Sequence, residues 1–289
     1  MFRALFFLIC CGLSSSTWAI TLTDDTGHQV NLARPAERIV SLAPHITELL
    51  FSLEVGDRVV ATVAFSDYPE AAKKIPVIGG AEDVSIESIL AVKPDLVVAW
   101  QGGSSTELLS GLERLGIPVY RSSSQGMTSI SQSLKDLSVL TKRQSTAYPL
   151  IQKFDQERLN IIARFKHKPR VRVFYQLWHD PLMTANSHQL ISEMISVCGG
   201  ENLFAERIET VPQTSVESVV MLNPDLIIAP LQGTPTNWRT RWLVWKEVSA
   251  VKNSLLVTVD ADLTSRPTLR SLQGLLDVCQ LIDQARDFQ

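Results

Sequence analysis

The chain has 289 residues, which is enough for two lobes with a packed core in each. Its 27 Lys and Arg residues are scattered among 30 Asp and Glu residues, and the formal net charge at pH 7 is −3. Because no basic patch forms, the composition argues against nucleic acid as a partner.

The N-terminal segment has the pattern of a cleaved export signal. Arg3 supplies a positive charge, residues 4–13 are apolar, and small residues precede a predicted cleavage site before Ile20. A membrane anchor is the disfavoured alternative, because the apolar run is too short to span a bilayer. We therefore expect residues 1–19 to be a signal peptide and the mature protein to be exported and soluble.

Cleavage there would leave two cysteines, Cys198 and Cys279. In an oxidising compartment two thiols permit a single disulfide, and closing a loop of this size contributes roughly 4–5 kcal/mol on the chain-entropy model. A pair of buried free thiols is the alternative. We expect the disulfide.

The first part of the mature chain predicts an α/β arrangement. Residues 20–32 alternate as a hairpin, and residues 38–43 form a buried strand that leads into a helix. His45 lies on the turn between this strand and helix, where open α/β sheets place ligand contacts, although a lone histidine there is more often a surface or capping residue. Phe65 and Tyr68 follow the next strand, where they either pack on a helix or stack on a ligand.

Residues 85–100 and 215–230 share one pattern. Each begins with a serine able to cap a helix, continues as an apolar stripe at helical spacing, breaks at Pro-Asp and ends as a short buried strand. Two unrelated units are the alternative, but the shared Ser-x-Glu-Ser and Pro-Asp-Leu sequences favour two similar α/β lobes. Trp100 ends the first unit, and the glycines after it predict a flat apolar face beside accessible backbone.

Residues 145–166 predict one long amphipathic helix, with apolar residues at helical intervals and Pro149 near the start. Such a helix between two lobes would restrict their relative motion more than loops would. The second lobe follows this helix. Trp178 and His179 come just after its first predicted strand. Residues 237–245 predict an exposed amphipathic helix whose arginines extend along its apolar surface to reach water.

No enzyme constellation is persuasive in this sequence. It has no phosphate-cradling glycine-rich loop, no Gly-x-Ser-x-Gly elbow and no His-Glu-x-x-His helix, and its five histidines never fall at paired metal-ligand spacing. Aromatic residues at the strand exits of both lobes and one Asp/Arg pair indicate a cleft for a large, partly flat ligand. We therefore expect a binding protein without catalytic residues, catalytic cofactor or metal site.

Five motifs are spread over nearly all of the mature chain. They are Ile39-Val-Ser-Leu-Ala-Pro-x-x-Thr47-Glu48, Phe65-Ser-Asp-Tyr-Pro69, Lys93-Pro-Asp-Leu-Val-Val-Ala-Trp100-x-Gly-Gly103, Val197-Cys-Gly-Gly-Glu-Asn-x-Phe204 and Val211-Pro-Gln-x-Ser-x-Glu217. Together they resemble the periplasmic cobalamin-binding receptors of ATP-binding cassette (ABC) importers, which share their general pattern with haem- and siderophore-binding relatives.

The resemblance implies a class III periplasmic binding protein, an α/β fold with two Rossmann-like lobes joined by a single long α-helix and the ligand between them. On this basis we expect a signal peptide at residues 1–19, an N-terminal lobe at 20–143, an interlobe helix at 144–168 and a C-terminal lobe at 169–289. The protein is expected to be a periplasmic monomer that delivers cobalamin or a related corrinoid to the permease subunits of an ABC importer.

The resemblance also implies site residues. Phe65, where the family has tyrosine, and Trp100 would stack on the ligand, and Asp262 and Arg266 would contact it from the second lobe. His45 and Tyr68 complete the candidate set.

Glu87 and Glu217 would dock the two lobes onto arginines of the permease. Each glutamate also lies in the first turn of its helix, where a carboxylate favours the helix dipole, and that alone is the simpler explanation.

The sequence departs from the family at two tryptophans of the cleft, which align with Ala81 and Val211. Trp178 is the candidate that would restore the lost stacking area. A haem or ferric-siderophore receptor is therefore the first alternative, with His45, Tyr68 or His179 as an axial ligand. A chelatase-like enzyme on a related fold is the second.

Overall fold

The computed structural model describes residues 19–80, 83–123 and 126–289. Residues 1–18 of the predicted signal peptide and Ala81 lie outside these ranges. None of the helices in the described part is both long and apolar enough to cross a bilayer.

The first lobe is built from short strands alternating with helices. In chain order its elements are β1 (Ile20–Thr23), β2 (Gln29–Leu32), β3 (Ile39–Ser41), α1 (Pro44–Ser52), β4 (Val59–Ala61), α2 (Ile86–Ala91), β5 (Leu96–Trp100), α3 (Thr106–Arg114), β6 (Val119–Ser122) and α4 (Thr128–Thr141). The predicted hairpin is confirmed as the antiparallel pair β1–β2. The other four strands form a parallel sheet in the order β4-β3-β5-β6.

One long helix, α5 (Gln144–Phe165), connects this lobe to the second. The second lobe contains, in chain order, β7 (Val171–Tyr175), β8 (Trp178–His179), β9 (Leu182–Met183), α6 (Leu190–Val197), β10 (Gly200–Asn202), α7 (Val216–Leu222), β11 (Leu226–Pro230), α8 (Thr240–Leu243), α9 (Ser249–Lys252), β12 (Leu256–Val259), α10 (Ala261–Ser265) and α11 (Ser271–Arg286). Its parallel sheet has the order β10-β7-β11-β12, which repeats the arrangement of the first lobe.

The repeated sequence unit is the same structure in both lobes. The hydroxyls of Ser85 and Ser215 cap α2 and α7, each accepting a hydrogen bond from the backbone N–H three residues later at 3.1 Å. The aspartate of each Pro-Asp motif makes the same kind of contact in both lobes. The Asp95 carboxylate accepts a hydrogen bond from the N–H of Arg38 at 2.8 Å, and the Asp225 carboxylate accepts one from the N–H of Arg172 at 2.9 Å. Each aspartate therefore fastens its unit to the start of the neighbouring strand.

Helix α5 is about 33 Å long at 1.5 Å per residue, and it packs against α4 of the first lobe and α11 of the second. Its buried residues Ala147, Phe154 and Phe165 join apolar residues of both lobes in one continuous core. This packing restricts the relative motion of the lobes, because any large movement would have to disrupt close-packed side chains.

The predicted disulfide is present between Cys198, at the end of α6, and Cys279 in α11, with a Cα–Cα distance of 4.7 Å. Both cysteines are fully buried. The bond links the last helix, α11, to the end of α6, and the alternative of two free thiols is wrong.

The prediction for residues 237–245 is wrong. Only Thr240–Leu243 is helical, and Trp242 is fully buried rather than exposed. Its ring packs against that of Phe174 at 5.6 Å between centroids, and its indole N–H donates to Gln176 at 2.8 Å. The alternation of Trp and Arg resembles an amphipathic surface helix, but here Trp238 and Trp242 are buried, and the guanidinium of Arg239 lies over the ring of Trp238.

Candidate ligand-binding site

A cavity of about 870 Å³ lies between the two lobes. The first lobe contributes His45, Trp100 and Gln101 to its wall, and the second contributes His188, Val211 and Arg266. His45, Trp100 and Gln101 lie at or shortly after the carboxyl ends of β3 and β5, as expected for ligand sites in open α/β sheets. A second depression, of about 580 Å³, is formed by residues of α3 alone and involves no residue predicted from the sequence.

Trp100 provides the large apolar surface of the cavity. It ends β5, and its side chain remains 39 % exposed in an otherwise buried strand. Gly102 and Gly103 pack against the indole so closely that a Cβ at either position would lie 2.8 Å and 2.5 Å from ring atoms. The Trp-x-Gly-Gly sequence therefore fixes the ring in place, and it leaves one flat face available to a ligand.

His45 is the second residue of α1, and its side chain is buried rather than on the surface as a lone histidine usually is. Its ring contacts that of Trp100 edge to face, at 5.8 Å between centroids and 88°. Burial, and then the charge of Arg266, lower the pKa of His45 from 6.5 to about 4, so the imidazole is neutral at neutral pH. Its Nε2 is buried and has no hydrogen-bond partner among the described residues.

Asp262 and Arg266 form the predicted polar pair. They lie one helical turn apart at α10, and Arg266 Nη2 is 3.0 Å from Asp262 Oδ1. Burial raises the pKa of the Asp262 carboxyl, against the opposing charge of Arg266. The short helix α10 was not predicted, but it is what brings the two side chains together.

Arg266 also reaches across to the first lobe, which the sequence analysis did not foresee. Its Nη1 lies 2.8 Å from Asp67 Oδ1 and 3.2 Å from Glu48 Oε1. Burial works to raise the pKa of Asp67, but the hydrogen bond and charge of Arg266 outweigh it and hold that pKa below its ordinary value. Glu48 and Asp67 belong to the Thr47-Glu48 and Ser-Asp-Tyr motifs. Their place in these motifs is the feature of the sequence that could have marked them as site residues.

Phe65 and Tyr68 lie on the loop after β4 and do not contribute to the wall of the cavity between the lobes. Phe65 is 78 % exposed and has a positive φ of 66°, a costly conformation for a bulky residue. Tyr68 is covered by Arg270, whose guanidinium lies 3.7 Å from the ring centroid. A stacking role for these aromatics stays a prediction.

Trp178 is at the start of the small hairpin β8–β9, and it too is absent from the cavity wall. It is 44 % exposed, and its indole N–H donates to the carbonyl oxygen of Asp180 at 3.1 Å. Of the two positions that align with family tryptophans, Val211 lines the cavity. The replacement of lost stacking area by Trp178 stays a prediction.

A family model described as periplasmic binding protein matches residues 39–263, most of the chain and both lobes. The chain belongs to the periplasmic binding protein family. The expected class III architecture, with two α/β lobes, is confirmed by its structural neighbours.

Sequence relatives of this periplasmic binding protein include the vitamin B12-binding protein of Vibrio campbellii, 32 % identical over 253 residues, which cover 87 % of this chain and 91 % of the relative. That of Yersinia pestis is 34 % identical over 248 residues, covering 86 % and 87 %. The crystal structure of the periplasmic vitamin B12-binding protein of Vibrio cholerae matches with a TM-score of 0.81 and 33 % identity, over 87 % of this chain and 98 % of that one.

The periplasmic haem-binding protein of Roseiflexus sp. RS-1 also matches, with a TM-score of 0.78 over 88 % of this chain and 100 % of that one. Its sequence identity is 23 %, so this likeness concerns the fold. The named relatives of this family member are binding proteins rather than enzymes.

Two exposed carboxylates of this periplasmic binding protein occupy equivalent places in the two lobes. Glu87 and Glu217 lie in the first turns of α2 and α7, two residues after the capping serines. Their docking role stays a prediction. Within the described ranges, no group of three or more His, Cys, Asp or Glu side chains is placed to hold a metal ion.

Proposed function

We propose that this periplasmic binding protein captures cobalamin, or a closely related corrinoid, and delivers it to an ABC importer of the inner membrane. The observation that carries the proposal is the cavity of about 870 Å³ between the lobes, with the face of Trp100 in its wall. Relatives named vitamin B12-binding protein, at 32–34 % identity over 86–87 % of the chain, support the choice of ligand.

In the proposed complex the ring system of the ligand packs on Trp100, since an exposed indole face gains most from covering a flat apolar surface. Arg266 orients an amide or phosphate group from the second lobe. Val211 in place of a tryptophan leaves a smaller side chain at the wall, so the affinity depends more heavily on Trp100. The protein binds its ligand without transforming it.

The remaining parts of the proposal concern export and docking. Residues 1–19 are removed as a signal peptide, and residues 20–143 and 169–289 act as two lobes about the 144–168 helix. Glu87 and Glu217 then meet basic residues of the permease, one from each lobe of a monomeric receptor. Their exposure and equivalent positions at α2 and α7 support this arrangement.

A haem receptor is the second candidate, and one observation favours it. His45 lies in the cavity wall with a neutral imidazole and an unpartnered Nε2, and such a nitrogen can serve as an axial ligand to haem iron.

Absorption spectra of the exported protein separate the two candidates. The protein is mixed with cyanocobalamin or with haemin, passed through a desalting column, and compared with a His45→Ala variant. We expect the wild type to retain cyanocobalamin in about equimolar amount. Retention of haemin with loss of its spectral shift in His45→Ala, and no retention of cyanocobalamin, would reject the corrinoid proposal in favour of haem.

A further inference from the structure

Glu48 is a buried carboxylate that belongs to neither predicted set of site residues. It lies in α1 of the first lobe with its side chain 3 % exposed. Its partners come from the second lobe. Arg270 Nε is 3.0 Å from Oε2 and Arg270 Nη2 is 2.8 Å from Oε1, which is a bidentate pair.

Glu48 also contacts Arg266 at 3.2 Å, so one carboxylate of the first lobe holds two arginines of the second. The Arg266 guanidinium is engaged on both sides, by Asp67 and Glu48 at Nη1 and by Asp262 at Nη2. Its orientation at the cavity wall is therefore set largely by the first lobe. We call Glu48, Asp67, Arg266 and Arg270 the interlobe clasp.

Burial makes the clasp sensitive to the loss of a single partner. A buried charge without its counter-ion is strongly disfavoured, whereas an exposed ion pair contributes little. Glu48 is the most buried member, and the ring of Tyr68 covers Arg270 at 3.7 Å and shields that pair from water. Removing the Glu48 charge would leave two arginines beside each other without their shared partner.

A separate interlobe bond lies at the other side of the cavity. Glu193 in α6 of the second lobe accepts a hydrogen bond from the N–H of Met127 at 2.7 Å, just before α4 of the first lobe. The wall of the cavity includes Gly126, next to this bond, as well as Arg266 in the clasp. Carboxylates thus join the lobes on both sides of the cavity, in addition to α5.

We propose that the clasp holds the two lobes in a fixed relative orientation before ligand arrives, and that Glu48 is a positioning residue that presents Arg266 to the cavity. The first part does not depend on which ligand is bound. The second part rests on the proposed function, because it concerns the affinity for a corrinoid.

The first part is tested by interlobe distance in the full exported protein. Spin labels are placed at Glu107→Cys and Lys246→Cys, two exposed positions on different lobes, and the distance distribution is measured by pulsed electron resonance. We expect one narrow distribution for the parent protein and a broader or shifted one for Glu48→Gln. Glu54→Gln, an exposed carboxylate just after α1, is the matched control and should not differ from the parent. An unchanged distribution in Glu48→Gln overturns the clasp.

The second part is tested by titration with cyanocobalamin in a double-mutant cycle. Glu48→Gln and Arg270→Gln should each weaken binding by about tenfold, and the double variant by clearly less than the product, because both remove one interaction. Arg270 is partly exposed, so the Arg270→Gln variant keeps the test available if Glu48→Gln fails to fold.

Unchanged affinity with a broadened distance distribution rejects the positioning role. Failure of the parent protein to bind cyanocobalamin rejects the proposed function while the distance measurement still decides the clasp.

Discussion

His45 combines a buried ring with a nitrogen that no described side chain satisfies. The neutral form is favoured because burial and the nearby Arg266 both oppose a second positive charge. In the unfolded chain the pKa of His45 returns to about 6.5, and in the folded protein it is about 4. The unfolded state therefore binds more protons between these values, so stability is full above pH 6.5 and falls as the pH drops toward 4.

The expected cost of lowering the pH from 7 to 4.5 is roughly 2 kcal/mol of unfolding free energy from His45 alone. Denaturant unfolding at the two pH values should show a smaller decrease for His45→Leu than for the wild type. His188→Leu removes another imidazole from the cavity wall and serves as the control. An equal decrease in wild type and His45→Leu would show that His45 does not titrate in this way.

Helices α2 and α7 are the repeated helices of the two lobes, and each has an exposed glutamate in its first turn. If both carboxylates meet basic residues of the permease, the double change Glu87→Ala with Glu217→Ala should lower cellular cobalamin uptake by roughly tenfold or more. The affinity of the purified protein for cyanocobalamin should stay unchanged, since neither residue lines the cavity.

The control pair for this uptake experiment is Glu107→Ala with Glu247→Ala. Glu107 also lies in the first turn of a helix that a serine caps, and Glu247 is an exposed carboxylate of the second lobe. This pair should transport normally. Normal uptake by the Glu87 and Glu217 variant would show that the helix-dipole explanation is sufficient for these residues.

Helices and strands whose apolar residues recur at regular spacing could be predicted from the sequence. Elements whose structure depends on contacts with residues far away in the chain could not. The repeated unit and the long helix α5 follow from local patterns that the structure confirms. Helix α4 was missed because its Ser and Thr residues dilute the apolar stripe, although Ile130, Leu134 and Leu137 are buried. The prediction of an exposed helix at residues 237–245 was wrong because the burial of Trp242 depends on its contact with β7, which lies far earlier in the chain.

At the scale of the whole molecule, the two lobes have the same strand arrangement but meet the cavity with different residues. Trp100 leaves β5 with its face exposed, while the equivalent strand β11 ends at the buried Pro230. The family resemblance pointed to Trp100 and Arg266, which line the cavity, and to Asp262, which pairs with Arg266. The resemblance did not reveal that Glu48 holds Arg266, because an ion pair between residues 218 positions apart leaves no local pattern.

The central claim is that the cavity between the lobes binds a corrinoid on the face of Trp100. Calorimetric titration of the exported protein with cyanocobalamin tests it directly, using the wild type, Trp100→Ala and the control Tyr148→Ala, an exposed aromatic of α5. The account predicts binding at about one ligand per chain for the wild type and Tyr148→Ala, and an affinity roughly tenfold to a hundredfold lower for Trp100→Ala, with its circular dichroism unchanged. Equal affinity in wild type and Trp100→Ala, or no binding to the wild type, would contradict it.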